Sequence, residues 1–296
     1  MTTVDVLLPH YGRMDLVQET VRSVLAQDDP NWRLVIVDDT GERADETLAA
    51  WCAGLAEPRV IYLRNEQNLG INRNFQRCVT LVENELAVII GSDDLMLPGY
   101  VGCVRRAFEA RPDVAIVQPG VEVIDELGVP SRTVVDLAKR WVYAPRVTEP
   151  TVLAGEDLAL SLVRGNWLYF PSLCWRAEQL RRTGFREGWS VVQDLALVLD
   201  LVLDGELLLV EPTTCFRYRR HSASVSSAQA ADGRRFAEER RFFVEVAGRL
   251  DDRGWRRAAR AARRHTSSRI NALTQVPTAI RNGDGATTLA RHVLGR

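Results

Sequence analysis

Residues 86–96 read "LAVIIGSDDLM": an apolar run passes through a glycine into two adjacent carboxylates, Asp93 and Asp94, and turns apolar again. A continuous apolar run, as opposed to an alternating one, marks a strand covered on both faces, as in parallel sheets. Such a strand ending on two like charges poses a problem. At ~4 Å, in an effective dielectric near 20, the two repel by roughly 4 kcal/mol. Full solvation, side chains that face apart, or a bound cation would offset that.

Outward from this strand the same rhythm repeats. Strand-like runs occupy 4–9 ("VDVLLP"), 33–39 ("RLVIVDD"), 59–65, 86–94 and 114–119, with helical stretches between them at 14–27, 44–55, 71–82 and 99–110. In the first helix Leu16, Val17, Thr20, Val21, Val24 and Leu25 share one face. This alternation predicts an α/β fold, a mostly parallel sheet with helices on both faces. Residues 1–118 form the first half of the expected domain and 119–231 its second half. The second half reads as a hairpin over 121–135 turning at Leu127-Gly128, a short helix at 155–165, an aromatic-rich strand at 166–176, a helix from Leu195 to Leu203, and a strand at 206–221. Residues 232–296 read as a basic, helical C-terminal extension.

Composition narrows the class. With 296 residues, 46% hydrophobic and 26% charged, the chain is an ordinary globular protein. Five scattered cysteines without a Cys-x-x-Cys predict reduced, buried thiols. No basic leader precedes the first strand, and the longest apolar stretch, 195–210, is broken by Asp200, Asp204 and Glu206. The expectation is a cytoplasmic chain with no bilayer span. A net charge of −1 hides a division: the segment from Asp232 onward carries 15 arginines against 7 acids, and the remainder is net −9. In "RGWRRAARAARRH" (253–265) the arginines line one helical stripe opposite alanines. That stripe suits anionic lipid headgroups at the inner membrane face, a solvated surface, or docking on the acidic part of the same or a partner subunit as a homodimer. No nucleic-acid recognition motif accompanies the charge.

The chemistry sits at strand ends. Asp38-Asp39 closes the second strand and Asp93-Asp94 the fourth, so a parallel sheet brings both to the carboxyl edge where open α/β sheets bind ligands. Consecutive strand residues face opposite ways, so one carboxylate of each pair is expected in the crevice and the other turned away. No Gly-x-Gly-x-x-Gly or Walker loop is present to cradle phosphates. A divalent cation on one or two carboxylates is the remaining way to hold a diphosphate there. A free carboxylate also accepts from a pyrimidine N–H or a ribose hydroxyl.

In chain order, "LLPHYGR", "VDDT", "NLGINRN" (68–74), "GSDD", "GF" (184–185), "VQD" (192–194) and "RYRRHSASVS" (217–226) resemble the family 2 glycosyltransferases of the GT-A fold, a Rossmann-like sheet. The resemblance runs from about residue 3 to 226 and leaves the tail unexplained. It implies a metal-dependent inverting transfer of a sugar from a UDP- or dTDP-sugar to a carbohydrate, glycolipid or small-molecule acceptor, with Mn²⁺ or Mg²⁺ as cofactor. By that resemblance Pro9 and Tyr11 frame the base, and Asp39 or Asp38 accepts from its N3–H. Arg73 lies beneath the nucleotide, Asp93 approaches the ribose or donor sugar, and Asp94 binds the metal. Asp194 is the catalytic base, although its position also suits a helix cap before "LALVLDL". His221 completes the metal shell or touches the diphosphate, with Ser224 in the same closing segment. Arg217, Arg219 and Arg220 neutralise the phosphates. The aromatics of 165–175 suit either a core or a sugar-binding face; in the second case Trp167 and its neighbour Asn166 are the acceptor-side candidates, joined by Gln193.

Three departures stand out. Ser92 replaces the first acid of an Asp-x-Asp, Gln193 replaces an acid beside the base, and His10 is a bulky neighbour in the base loop. Two other classes compete: a nucleotide-sugar-binding protein of weak or no activity, which Ser92 and Gln193 would suit, and a nucleotidyltransferase, which would want a basic glycine-rich loop near residue 10.

Overall fold

The computed structural model describes residues 2–41, 46–131, 142–220, 234–266, 268–269 and 272–273. The first half follows the expected alternation: β1 (Val4–His10), α1 (Met14–Leu25), β2 (Trp32–Asp38), α2 (Glu46–Gly54), β3 (Val60–Arg64), α3 (Ile71–Thr80), β4 (Leu86–Ile89), the two-residue β5 (Leu95–Met96), α4 (Tyr100–Ala110) and β6 (Ile116–Ile124). Then come β7 (Thr151–Leu153), α5 (Gly155–Arg164), β8 (Cys174–Arg176), α6 (Ala177–Thr183), α7 (Gln193–Leu203), β9 (Leu208–Arg219), α8 (Arg234–Asp252) and α9 (Arg256–Arg264).

The nine strands form one mixed, mostly parallel sheet in the order β3-β2-β1-β4-β8-β6-β9-β5, with β7 also paired to β9. β1 runs parallel to both neighbours, with Leu7 opposite Ile89 on β4 and His10 opposite Asp38 on β2. That register brings the ends of β1, β2 and β4 to one edge. β8 is antiparallel to β4 and β6.

Period-two alternation distributes the strands' side chains to two cores. Val4, Val6 and Leu8 of β1, with Leu34 and Ile36 of β2, face the layer of α1, α2 and α4. Leu7, Val35 and Val37 face the layer built from α3, α5, α6 and α7. Asp5 breaks the apolar pattern. It is fully buried and accepts from Arg33 Nη1 at 3.1 Å and from the backbone N–H groups of Glu83 and Asn84 at 2.7 and 2.8 Å.

Two expectations change. The aromatic strand over 166–176 shrinks to β8, because Phe170–Ser172, with Pro171, winds into a 3₁₀ turn. The hairpin turns where expected, with Asp125 Oδ1 accepting from Leu127 and Val129 N–H and Gly128 at φ +81°, but only an isolated bridge from Ile124 to Pro130 pairs it. Residues 132–135 of that expectation lie outside the described residues. Part of the basic extension packs into the domain: Phe242, Val246, Ala247 and Leu250 of α8, with Ala258, Ala259 and Ala262 of α9, belong to the α3/α7 core. Arg257 of the basic stripe pairs with Glu156 and Asp157 of α5 at 3.0 and 2.8 Å. Arg256, Arg260 and Arg264 remain exposed on the outer face of α9. All five cysteines are buried and unpaired, and among the described residues no helix is long and apolar enough to cross a membrane.

β6 and β9 pair in parallel, with their register shifting at Gly120. A Cβ there would lie 2.7 Å from Pro212 O and 2.8 Å from Thr214 N, both backbone atoms unable to swing aside. Gly120→Val is therefore expected to lower unfolding free energy by about 1–3 kcal/mol, the usual range for overpacking, in a denaturant titration.

Candidate functional site

The two acidic pairs solve their repulsion differently. At the end of β2 the pleat continues, and Asp38 and Asp39 go to opposite faces. Asp38 Oδ1 accepts from the N–H and hydroxyl of Thr40 at 3.0 and 2.7 Å, and Oδ2 from the Tyr62 hydroxyl at 2.5 Å. Burial pushes the Asp38 carboxyl up, but the bonds from Tyr62 and Thr40 outweigh it and leave it below the usual carboxylate range. Asp39 points toward α3. Its oxygens accept from Asn65 Nδ2 (2.6 Å), Asn68 Nδ2 (3.2 Å), Leu69 N (2.8 Å) and Gly70 N (3.0 Å). It thereby anchors the loop before α3 and the start of that helix, whose first residue follows Gly70 at φ +78°. Arg73, one turn in, is exposed, with Glu187 3.8 Å from its Nε.

Asp93 and Asp94 do not face apart, which corrects the expectation from strand alternation. After β4 the chain turns, Asp94 N donating to Gly91 O at 3.2 Å, so the period of two no longer applies. Both carboxylates converge over Gly91: a Cβ on that residue would meet Asp94 Oδ2 at 2.5 Å and Asp93 Oδ1 at 2.9 Å. Asp94 is 1% exposed. Its Oδ1 accepts from Arg219 N at 2.8 Å, and its carbonyl from the Thr20 hydroxyl at 2.8 Å. Burial, then the Asp93 charge, hold its carboxyl well above the usual range despite the Arg219 N–H. The side chains do not face apart and Asp94 is not solvated, and its raised pKa disfavours the second charge beside Asp93. The donor set suits Mg²⁺ or Mn²⁺, which take one or two carboxylates and complete their shell with phosphate oxygens and water. No group of three metal-ligating side chains is present among the described residues.

Asp194 is the second residue of α7, half-buried, with Asn166 Nδ2 donating to its Oδ2 at 3.2 Å. Tyr218 on β9 lies within electrostatic reach of this carboxylate and of the other two. Its hydroxyl is pushed well up by burial, then by the Asp94 charge, with Arg220 opposing and Asp93 and Asp194 adding. The ring lies 5.2 Å from that of Tyr169 and under the Arg220 guanidinium at 5.6 Å. Sequence reading missed Tyr218, although it sits inside "RYRRHS"; the arginines around it carried the attention.

Other expected residues divide. Pro9 is half-buried at the end of β1, and Tyr11 is 61% exposed beside it. Trp167 is instead a core residue, 4% exposed, its indole N–H donating to Ser161 Oγ at 3.2 Å. Gln193 turns to α3, its Oε1 accepting from Asn72 at 3.0 Å. Arg217 pairs with Glu122 at 2.8 Å. Arg219 is 4% exposed and committed to protein groups, so phosphate neutralisation is not its task. His221 and Ser224 lie outside the described residues. His10 is 3% exposed, with no hydrogen-bond partner at Nδ1.

Comparison with known proteins places these features. The family model "Glycosyl transferase family 2" matches residues 5–168. The chain is 26% identical over 242 residues to the uncharacterized protein MT1568 of Mycobacterium tuberculosis, covering 78% of this chain and 71% of that one. It is 30% identical over 95 residues to the putative colanic acid biosynthesis glycosyl transferase WcaA of Escherichia coli, covering 32% of this chain and 34% of the relative. With the succinoglycan biosynthesis protein ExoO of Rhizobium meliloti it shares 24% identity over 75% of this chain and 62% of that protein. The fold matches S. aureus TarS 1-349 in complex with UDP-GlcNAc at a TM-score of 0.62 and 18% identity, over 82% of this chain and 66% of TarS 1-349.

Two outcomes test the geometry. Gly91→Ala is expected to force both carboxylates aside, lowering stability by about 1–3 kcal/mol in chemical denaturation. His10 is neutral when folded, because burial lowers its pKa more than Asp38 raises it. Below about pH 6.5 the unfolded chain binds a proton the native imidazole refuses, so stability is lost as pH falls. Thermal scans from pH 7.5 to 5.5 should show that loss, and a smaller one in His10→Gln.

Proposed function

Because the chain belongs to glycosyl transferase family 2 and is a glycosyltransferase drawing on a nucleotide sugar, we propose a metal-assisted, inverting transfer from a UDP- or dTDP-sugar to a carbohydrate hydroxyl. The observation that carries this reading is the convergence of Asp93 and Asp94 over Gly91, at the edge that also holds Tyr11, Asp38 and Asp39. The base lies against Tyr11 with its N3–H toward the Asp38–Asp39 pair, and Arg73 reaches the nucleotide from α3. Asp94 with Asp93 would hold Mn²⁺ or Mg²⁺. When bound, the cation supplies neutralisation of the diphosphate leaving group. Relatives named for colanic acid and succinoglycan biosynthesis support a saccharide acceptor.

Asp194 takes the proton from the acceptor hydroxyl as that oxygen bonds to the anomeric carbon. The bond from that carbon to the diphosphate oxygen breaks, and its electron pair leaves with the nucleoside diphosphate. Asn166 orients the carboxylate by donating to Oδ2 at 3.2 Å, and the Leu195 N–H by donating to Oδ1 at 2.7 Å. The Tyr169 and Tyr218 rings pack 5.2 Å apart, and the buried Tyr218 hydroxyl feels the charges of both Asp94 and Asp194. Arg220 above Tyr218 adds positive charge on the diphosphate side.

Thermal unfolding with UDP or dTDP, in Mn²⁺ or in EDTA, tests the donor site. A nucleotide at 100 times its Kd that binds only the native state adds about 2.7 kcal/mol. A shift is expected in Mn²⁺, reduced by EDTA and lost in Asp94→Ala. No shift with any nucleoside diphosphate would overturn the reading.

A further inference from the structure

We propose that helix α8, in the extension that the sequence motifs leave unexplained, is a working part of the transfer site, with Glu238 as the positioning residue for the segment that delivers Asp194. The inference rests on the assignment of Asp194 as base.

Residues 184–192, between α6 and α7, form no regular element apart from turns. Gly184 and Gly188 have φ of +60° and +83°, in the region only glycine enters freely. Such a segment takes its position from what grips it, and two helices do so. From one side, α3 contributes Asn72, whose Nδ2 lies 3.2 Å from Arg186 O, 2.8 Å from Trp189 O and 3.0 Å from Gln193 Oε1. Gln76 of the same helix accepts from Phe185 N at 2.7 Å. Asn72 is the chain neighbour of Arg73, so the nucleotide side and the base segment share one helix.

From the other side comes α8. Glu238 Oε1 accepts from the backbone N–H groups of Ser190 (2.9 Å), Val191 (2.7 Å) and Val192 (3.1 Å), and Oε2 accepts from the Ser190 hydroxyl (3.0 Å). Val192 is the N-cap of α7 and, as a valine, offers no side-chain acceptor of its own. Glu238 satisfies the entry to α7 from 46 residues downstream. Beside it, Arg241 Nη2 donates to Gly188 O at 2.7 Å and lies 4.4 Å over the Trp189 ring, which packs edge-on to Phe242. Remove the Glu238 carboxylate and three N–H groups lose their acceptor two to four residues before Asp194. A displacement near 1 Å in a reacting group costs on the order of 100-fold in rate.

The test measures UDP release from UDP-GlcNAc in Mn²⁺, water serving as acceptor, and amide hydrogen exchange at 190–192. Glu238→Ala should lower kcat at least ~10-fold with donor KM within ~2-fold, the pattern of a group acting on the transition state alone. Glu238→Gln keeps an acceptor oxygen and should recover most of that loss. Arg257→Ala loosens α9 against α5 without touching 184–192 and should keep kcat. Wild-type turnover in Glu238→Ala, or an equal kcat loss in Arg257→Ala, would overturn the proposal. Faster exchange at 190–192 in Glu238→Ala is expected even without nucleotide, and unchanged exchange would overturn the brace. If wild type binds no UDP, the donor-site reading fails and exchange alone decides the brace.

Discussion

Arg219 holds the acidic edge from behind. A guanidinium that is 4% exposed must find partners for its donors or forfeit several kcal/mol. Its Nη2 meets Glu19 of α1 at 2.6 Å, Nη1 the Glu126 carbonyl at 3.1 Å, and Nε the Asp93 carbonyl at 2.8 Å, while its backbone N–H meets Asp94 Oδ1. One residue of β9 therefore ties α1, the 125–128 turn and the carboxylate turn together. With the Asp93 carbonyl fixed, the 91–94 turn has one geometry, and both carboxylates emerge over Gly91.

The neighbouring pair shows the alternative. Asp38 and Asp39 leave a regular strand, so pleating separates their charges, and each collects donors on its own face. Asp39 spends its oxygens organising the approach to α3 and so governs Arg73 at a distance. Asp93 and Asp94 leave a turn, remain close, and bury one carboxylate against the other. Buried like charges of that kind are costly, and the proximity of Asp93 adds to burial in raising the Asp94 pKa.

Helices beyond the sequence motifs pack into the domain. α8 and α9 entered the reading of the sequence as charge, because arginines dominate their composition. Folded, the arginines mostly face outward or pair with acids of α5 and α7, and the phenylalanines and alanines between them fill the core. Glu238, an unremarkable acid in that basic stretch, became informative only once the 190–192 backbone lay beside it.

The strand order of the first half was legible because runs buried on both faces leave no ambiguity of period, and the carboxyl-edge location of both acidic pairs followed from parallel strands alone. Asp194 lies at the start of a helix, as its place before "LALVLDL" indicated. The aromatic stretch 166–176 was not legible, since an aromatic residue reads the same in a core as in a binding face, and Pro171 bends the chain out of strand geometry. Among Arg217, Arg219 and Arg220, local pattern could not tell a buried structural cation from an exposed one, because burial depends on α1 and the 125–128 turn, far away in the chain. The sequence by itself determined which residues carry charge and which strands end together. Only the tertiary structure decided which charges face each other, because that depends on turns and on partners contributed by distant segments.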